Sequence, residues 1–155
     1  RGLVGSEMCI RDSSQGGLHT KSYAQLYGSP DEVRRVVTIG ANFHGTTWGD
    51  RATPLSTAAK IAPDVTNFVG TSAGIQQLQG SDFMENLNQL PDTAPGITYT
   101  SIYSPADNTV TPNETSQLTA VRGADVANVE SVPVEHGKLP HDPRVHELIA
   151  WGLTR

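Results

Sequence analysis

A serine, an aspartate and a histidine stand in this chain in an order and in settings from which nucleophilic chemistry can be built. Ser14 falls in Ser13-Ser14-Gln15-Gly16-Gly17, at the head of a helical-looking run from Leu18 to Leu26. Asp107 falls in Ala106-Asp107-Asn108-Thr109-Val110-Thr111-Pro112, and His136 in Val134-Glu135-His136-Gly137-Lys138-Leu139-Pro140. A serine hydroxyl is a weak nucleophile until an imidazole takes its proton. Imidazole titrates near neutral pH, so it can accept that proton and give it back. A carboxylate on the far ring nitrogen fixes the tautomer and stabilises the imidazolium. The oxyanion of an attacked carbonyl needs backbone N–H donors, one of them from the residue after the nucleophile, here Gln15.

Ser14-Gln15-Gly16 is the second half of the pattern G-x-S-x-G. In that turn the serine sits on a strained strand-to-helix bend, and small neighbours admit the close backbone. Asp12 occupies the place of the first glycine. Ser13 is the local competitor, but only Ser14 keeps the frame. Asp92 and Asp125 are the substitute acids, and Asp107 beside Asn108 also fits an Asx turn. His141 is the substitute base. His146 and His19 read as surface residues, and His44, before Gly45, as structural or cleft-lining. The five histidines lack zinc-like spacing, so no metal is expected, and the chemistry needs no cofactor. Asn113-Glu114-Thr115 matches a glycosylation sequon, a motif that arises often by chance.

The elements around these residues suggest a parallel α/β sheet. Gly16 to Tyr27 places Leu18, Tyr23, Leu26 and Tyr27 on one helical face, with Gly28 as a stop. Ser29-Pro30-Asp31-Glu32 has the cap, proline and acids of a helix start, leading into a short turn over 33–35. Val36 to Gly40 reads as a buried strand. Residues 41–54 read as a loop centred on Asn42-Phe43-His44-Gly45-Thr46-Thr47, and 54–61 and 64–78 are weakly helical. Ser81 can cap a helix over 82–90, with Phe83, Leu87 and Leu90 on one face. Strands are expected over 97–104 and 126–134. A last helix begins at Asp142-Pro143, with Val145, Leu148, Ile149 and Leu153 facing the core. In this arrangement Ser14 precedes the first helix, and Asp107 and His136 each follow a strand, where loops converge on one crevice.

The 155 residues are enough for one domain with a core. Net charge is −5 with no basic stripe, so nucleic acid is not an expected partner. No apolar run approaches the roughly 20 residues of a membrane helix. Cys9 is the single cysteine and has no partner for a disulfide within the chain. Residues 1–12 carry no helical or strand period, and Glu7, Arg11 and Asp12 are poor members of a buried strand. The string from Gly5 to Ser13 also resembles translated sequencing-adaptor sequence. Residues 1–12 are therefore expected to be a non-native leader, and 13–155 a partial domain that starts at the nucleophile turn and lacks its incoming strand.

Several ordered motifs together resemble the class 2 lipase family, secreted serine lipases of actinobacteria related to lipase B of Candida. They are Ser14-Gln15-Gly16-Gly17, Val33 to Ile39, Asn42-Phe43-His44-Gly45-Thr46-Thr47, Gly80-Ser81-Asp82-Phe83 and Tyr99 to Tyr103. Asp107 with Val110 and Pro112 resembles the family's acid loop, and His136 with Leu139-Pro140 and Asp142-Pro143 its histidine loop. The resemblance implies the C-terminal part of an α/β-hydrolase, a mostly parallel sheet flanked by helices. It implies Ser14 as nucleophile, His136 as base, Asp107 as acid and Gln15 in the oxyanion hole. Small ester or lipid molecules would be substrates, with transient contact at a lipid interface, and the protein would be secreted. The family's cysteine pairs are absent, and its second oxyanion donor lies upstream of the nucleophile turn, so little activity is expected of this chain alone. An acyltransferase or amidase on the same scaffold, or a non-catalytic binding module, are the alternatives.

Overall fold

The structure is a computed structural model, and it describes residues 8–27, 32–48 and 72–155. Within them, β1 (Met8–Ser13), α1 (Gln15–Leu26), β2 (Val33–Ile39), α2 (Ser72–Gln76), α3 (Asp82–Leu87), β3 (Thr98–Tyr103), β4 (Asp125–Glu130) and α4 (Pro143–Thr154) follow in chain order. The strands form one parallel sheet in the order β1-β2-β3-β4. The expected α/β class and parallel sheet are therefore observed.

The two central strands carry the apolar runs. Parallel strands covered on both faces lose the polar alternation of a half-exposed sheet, and Val36, Val37, Thr38 and Ile39 are all buried. Successive side chains still point to opposite faces. Val36 joins Val33, Phe43, Ile97, Tyr99 and Leu118 on one face. Val37 and Ile39 join Ile102, Leu139, Val145 and Ile149 on the other, under α4. Val33 shares the face of Val36, three residues on, because a register irregularity pairs Met8 with Val33 but Cys9 with Arg35. The extra residue, Arg34, is a bulge.

The helices cover these faces as follows. On α4, Asp142 caps the N-terminus by accepting from the Arg144 N–H, and Pro143 follows as the first helical residue. Val145 and Ile149 are buried and Leu148 and Leu153 pack beside them, the face expected from the sequence. On α1 the expected face is corrected. Gly17, Leu18, Thr20, Lys21 and Ala24 are buried, whereas Leu26 and Tyr27 are exposed. Close approach of the helix decides this: a Cβ on Gly17 would lie 2.4 Å from the Ala41 Cβ, so α1 turns that side to the end of β2. Ser81 caps α3 as expected, accepting from the Met84 N–H. Its buried face is Met84 and Leu87, packed on Leu18, while Phe83 is exposed.

Three further expectations change. Residues 33–35 are not a turn but the start of β2. The strand expected over 126–134 stops at Glu130, where the Ser131 N–H bonds the Tyr103 carbonyl and the chain leaves the sheet. Most importantly, the turn at Ser14 does have an incoming strand. Met8–Ser13 pairs with β2 residue by residue from Cys9–Arg35 to Ser13–Ile39. Its polar residues fit because, among the described residues, no strand pairs with its other side: Arg11 and Ser13 are exposed and Ile10 turns inward to the core. Cys9 is free and exposed on this strand. The helix-start motif over 29–31, Gly28 and the weakly helical 54–61 and 64–71 lie outside the described residues.

Candidate active site

The turn between β1 and α1 holds Ser14 at φ 51 and ψ −125, with the positive φ that non-glycine residues adopt rarely. Such backbone costs about 1–3 kcal/mol and is kept where its surroundings over-determine it. They do so here: the Ser14 N–H donates to the Ile39 carbonyl, and the Gly17 N–H donates to the Ser14 carbonyl. Gly16 leaves room for the Asp12 carboxylate, which a Cβ there would displace. That carboxylate accepts from the Thr20 hydroxyl at 2.8 Å. Asp12 thus occupies the position of the pattern's first glycine by turning its side chain along the first turns of α1, where an acid is favoured. Gln15 opens α1, and the first N–H groups of a helix lack intrahelical acceptors.

The three expected residues meet. The Ser14 Oγ lies 3.0 Å from His136 Nε2, and His136 Nδ1 lies 2.6 Å from Asp107 Oδ2. With Nδ1 donating to the carboxylate, Nε2 is left to accept from the serine hydroxyl. The other carboxylate oxygen accepts from the Thr109 and Val110 N–H groups, each at 2.8 Å. Asp107 is therefore both an Asx-turn residue and the partner of His136. Its side chain is 3% exposed and that of His136 19%, so the pair is largely shielded from water while the imidazole edge stays reachable.

Strand ends set these positions. Ser104, fully buried beyond β3, donates its hydroxyl to the Val134 carbonyl at 2.6 Å and accepts from the Val134 and Ala106 N–H groups. One side chain thereby ties the aspartate loop to the histidine loop two residues before His136. His136 begins a short 3₁₀ segment, His136–His141, anchored by the buried Leu139. Gly40, at the end of β2, has φ 55 and lies beneath the pair; a Cβ there would stand 3.3 Å from both Asp107 Oδ2 and His136 Nδ1.

The other candidates lie elsewhere. His141 and His19 are exposed, and exposed His146 bonds the Pro140 carbonyl. Asp125 faces Arg155. Asp92 pairs with Lys21 at 2.9 Å and His44 at 3.3 Å, a second cluster that ties α1 to two loops. The expected turn at Gly45 is present, with φ 81. Asn113, the sequon asparagine, donates its amide to the Asp107 and Val110 carbonyls, so that nitrogen is engaged inside the aspartate loop. Neither Asn113, Ser104 nor Gly40 was singled out from the sequence for the site. Their polar partners are distant along the chain, and a short hydroxyl or a glycine carries no sign of them. Among the described residues no group of histidine, cysteine and acidic side chains is arranged to hold a metal, and no helix is long and apolar enough to cross a membrane.

The sequence matches no protein-family model and no curated protein. Solved structures do resemble it. The product of gene lin2722 of Listeria innocua superposes with a TM-score of 0.63 at 18% identity, over 97% of this chain and 58% of that one. A monoacylglycerol lipase of Paleococcus ferrophilus gives 0.56 at 16% identity, over 97% and 70%. Lipase BlEst2 of Bacillus licheniformis gives 0.52 at 16% identity, over 84% and 58%. The chain thus spans 58% to 70% of the length of these proteins. With its parallel sheet, flanking helices and strand–serine–helix turn, it has part of an α/β-hydrolase fold.

Proposed function

We propose that this chain carries the reacting side chains of a serine hydrolase for carboxylic esters, a lipase or esterase of the class 2 lipase kind. The observation that carries this reading is the continuous path from Ser14 Oγ through both nitrogens of His136 to Asp107. His136 Nε2 takes the hydroxyl proton as Ser14 Oγ bonds the ester carbonyl carbon. The Gln15 N–H stabilises the oxyanion. The imidazolium, steadied by Asp107, returns its proton to the departing alkoxide as the C–O bond breaks, leaving an acyl-serine. Water, deprotonated by the same imidazole, then releases the acid. Like the resemblance itself, secretion, lipidic substrates and brief contact with a lipid interface belong to this proposal.

A fluorophosphonate probe tests it, because such a probe bonds covalently to an activated serine. Labelling at Ser14, lost in Ser14→Ala, is expected, while turnover of a short p-nitrophenyl ester by this chain alone should be slow. A folded chain that is not labelled at Ser14 would favour a binding module. Products in which the acyl group has moved to an amine or a second alcohol would favour a transferase.

A further inference from the structure

The loop after β2 is bonded into the aspartate loop through Thr46. This residue is 7% exposed, and its hydroxyl uses its full capacity of one donor and two acceptor positions. It donates to the Thr109 carbonyl at 2.6 Å and accepts from the Thr111 N–H at 3.1 Å and the Trp48 N–H at 2.9 Å. Its backbone is held independently, the N–H by the Gln77 carbonyl and the carbonyl by the Gln79 N–H. The Thr109 carbonyl and the Val110 N–H are the two ends of one peptide unit, which is planar and stiff. Thr46 grips one end of that unit, and the other end donates to Asp107 Oδ1 at 2.8 Å. Rotation of the peptide would withdraw both the Val110 donor and the alignment of Asp107 Oδ2 with His136. Hydrogen bonds in series also polarise one another, so the donor facing the carboxylate is strengthened by the one behind it.

From this chain of contacts we propose that Thr46 is a positioning residue for Asp107: its hydroxyl, acting through the Thr109–Val110 peptide, holds the carboxylate in the orientation that His136 requires. The inference rests on the proposed roles of Ser14, His136 and Asp107, and Thr46 itself touches none of the reacting atoms. Thr47 and Thr115 add bonds between the same loops, to Thr111 and to Gly45, but neither reaches the peptide that faces Asp107.

Two variants of the full chain separate the hydroxyl from the methyl group. Thr46→Val keeps the volume and loses the hydroxyl; Thr46→Ser does the reverse. The first readout is the low-field imidazole N–H signal of His136 in NMR, which reports its bond to Asp107 without any turnover. It is expected to weaken or move upfield in T46V and to stay in place in T46S. The second is the rate of fluorophosphonate labelling at Ser14 against pH. In T46V it should fall about tenfold to a hundredfold, the scale of a misplaced reacting group, with its ascending limb moved to lower pH. T46S should restore both. A folded T46V with an unchanged signal and an unchanged pH profile overturns the proposal, as does a folded T46S that loses the signal. If T46V does not fold, T46S alone decides: the hydroxyl without the methyl must preserve the signal. A parent chain that is never labelled would refute the reading of Ser14, while the NMR contrast would still decide the role of Thr46.

Discussion

Asp107 and Asp92 each face a histidine, His136 at 2.6 Å and His44 at 3.3 Å, and the two carboxylates are spent differently. Asp107 satisfies its second oxygen with two backbone N–H groups, which carry no net charge. Its negative charge is left for the imidazole, whose other nitrogen meets the Ser14 hydroxyl. Asp92 gives its second oxygen to the Lys21 ammonium, whose side chain is only 1% exposed. That charge is already neutralised, and His44 uses a single nitrogen, Nε2, toward both Asp92 and the Gln117 carbonyl. Backbone donors fix a carboxylate while leaving its charge free; an ammonium consumes it. The first arrangement leaves an imidazole nitrogen facing Ser14, as the proposed reaction requires, and the second ties α1 to the loops.

The largest difference should come from removing each charge in turn. Asp107→Asn keeps the shape and reverses the demand on the ring, so His136 is held in the wrong tautomer for Ser14. Labelling at Ser14 is expected to fall about 10⁴-fold, as for loss of the acid in a serine–histidine–aspartate relay. Asp92→Asn should leave labelling near that of the parent. Comparable losses at both positions would mean that the clusters are not functionally distinct.

Stability should respond in the opposite sense. Asp92→Ala leaves the Lys21 ammonium buried without its partner, and breaking a buried pair from one side costs about 3–5 kcal/mol. Chemical denaturation at pH 7 checks this. A loss below about 1 kcal/mol would place the Lys21–Asp92 contact with exposed ion pairs, which are worth little.

This contrast also separates what the sequence makes legible from what it hides. Ser14, Asp107 and His136 stand out because each lies beside turn residues at the end of a strand, and a parallel sheet brings those ends together. Lys21 and Asp92 carry no such mark. They meet across 71 residues, and nothing near either one announces the other. The strand β1 was hidden for a different reason: a strand paired on one side among the described residues can be built from Arg11, Asp12 and Ser13, because backbone pairing with β2 holds it without an apolar pattern. At residues 33–35 a strong helix-start motif outweighed a weak strand signal, and the Arg34 bulge broke the alternation that would have shown it. Phe83 was placed inward by spacing alone, whereas Met84 and Leu87 meet Leu18.

Gly40 offers a smaller and more local perturbation of the Asp107 side. Its φ of 55 disfavours any side chain, by about 1–2 kcal/mol. A Cβ would also press on Asp107 Oδ2, His136 Nδ1 and Leu139 at 3.2–3.3 Å. Gly40→Ala should therefore lower stability by about that amount and slow labelling as well. Gly137, next to His136, has open space around its Cβ position, and Gly137→Ala should do neither. Equal effects of the two alanines would show that crowding of the pair is not what Gly40 avoids.

The smallest expected effect is the pH dependence of the Asp92 side, and its sign follows from the shifts of both partners. The hydrogen bond to Asp92 raises His44 above its ordinary 6.5, against burial, which lowers it. Its contribution to stability is thus complete below about pH 6.5 and fades as pH rises through the raised value. Burial pushes the Asp92 carboxyl up, but His44, Lys21 and the Thr119 N–H outweigh it and hold the group well below its ordinary 3.8. That contribution is complete above about pH 3.8 and fades as pH falls through the lowered value. The two overlap between about pH 4 and 6.5. The His44 side chain is 38% exposed, so solvent screens its share, and the effect should be well below that of Asp92→Ala. Melting temperatures of the parent and His44→Gln should differ most in that window and converge as pH rises through the raised His44 value. A gap that widens from pH 6 to pH 8 would mean that neutral His44, through its bond to the Gln117 carbonyl, does more than the charged form does against Asp92.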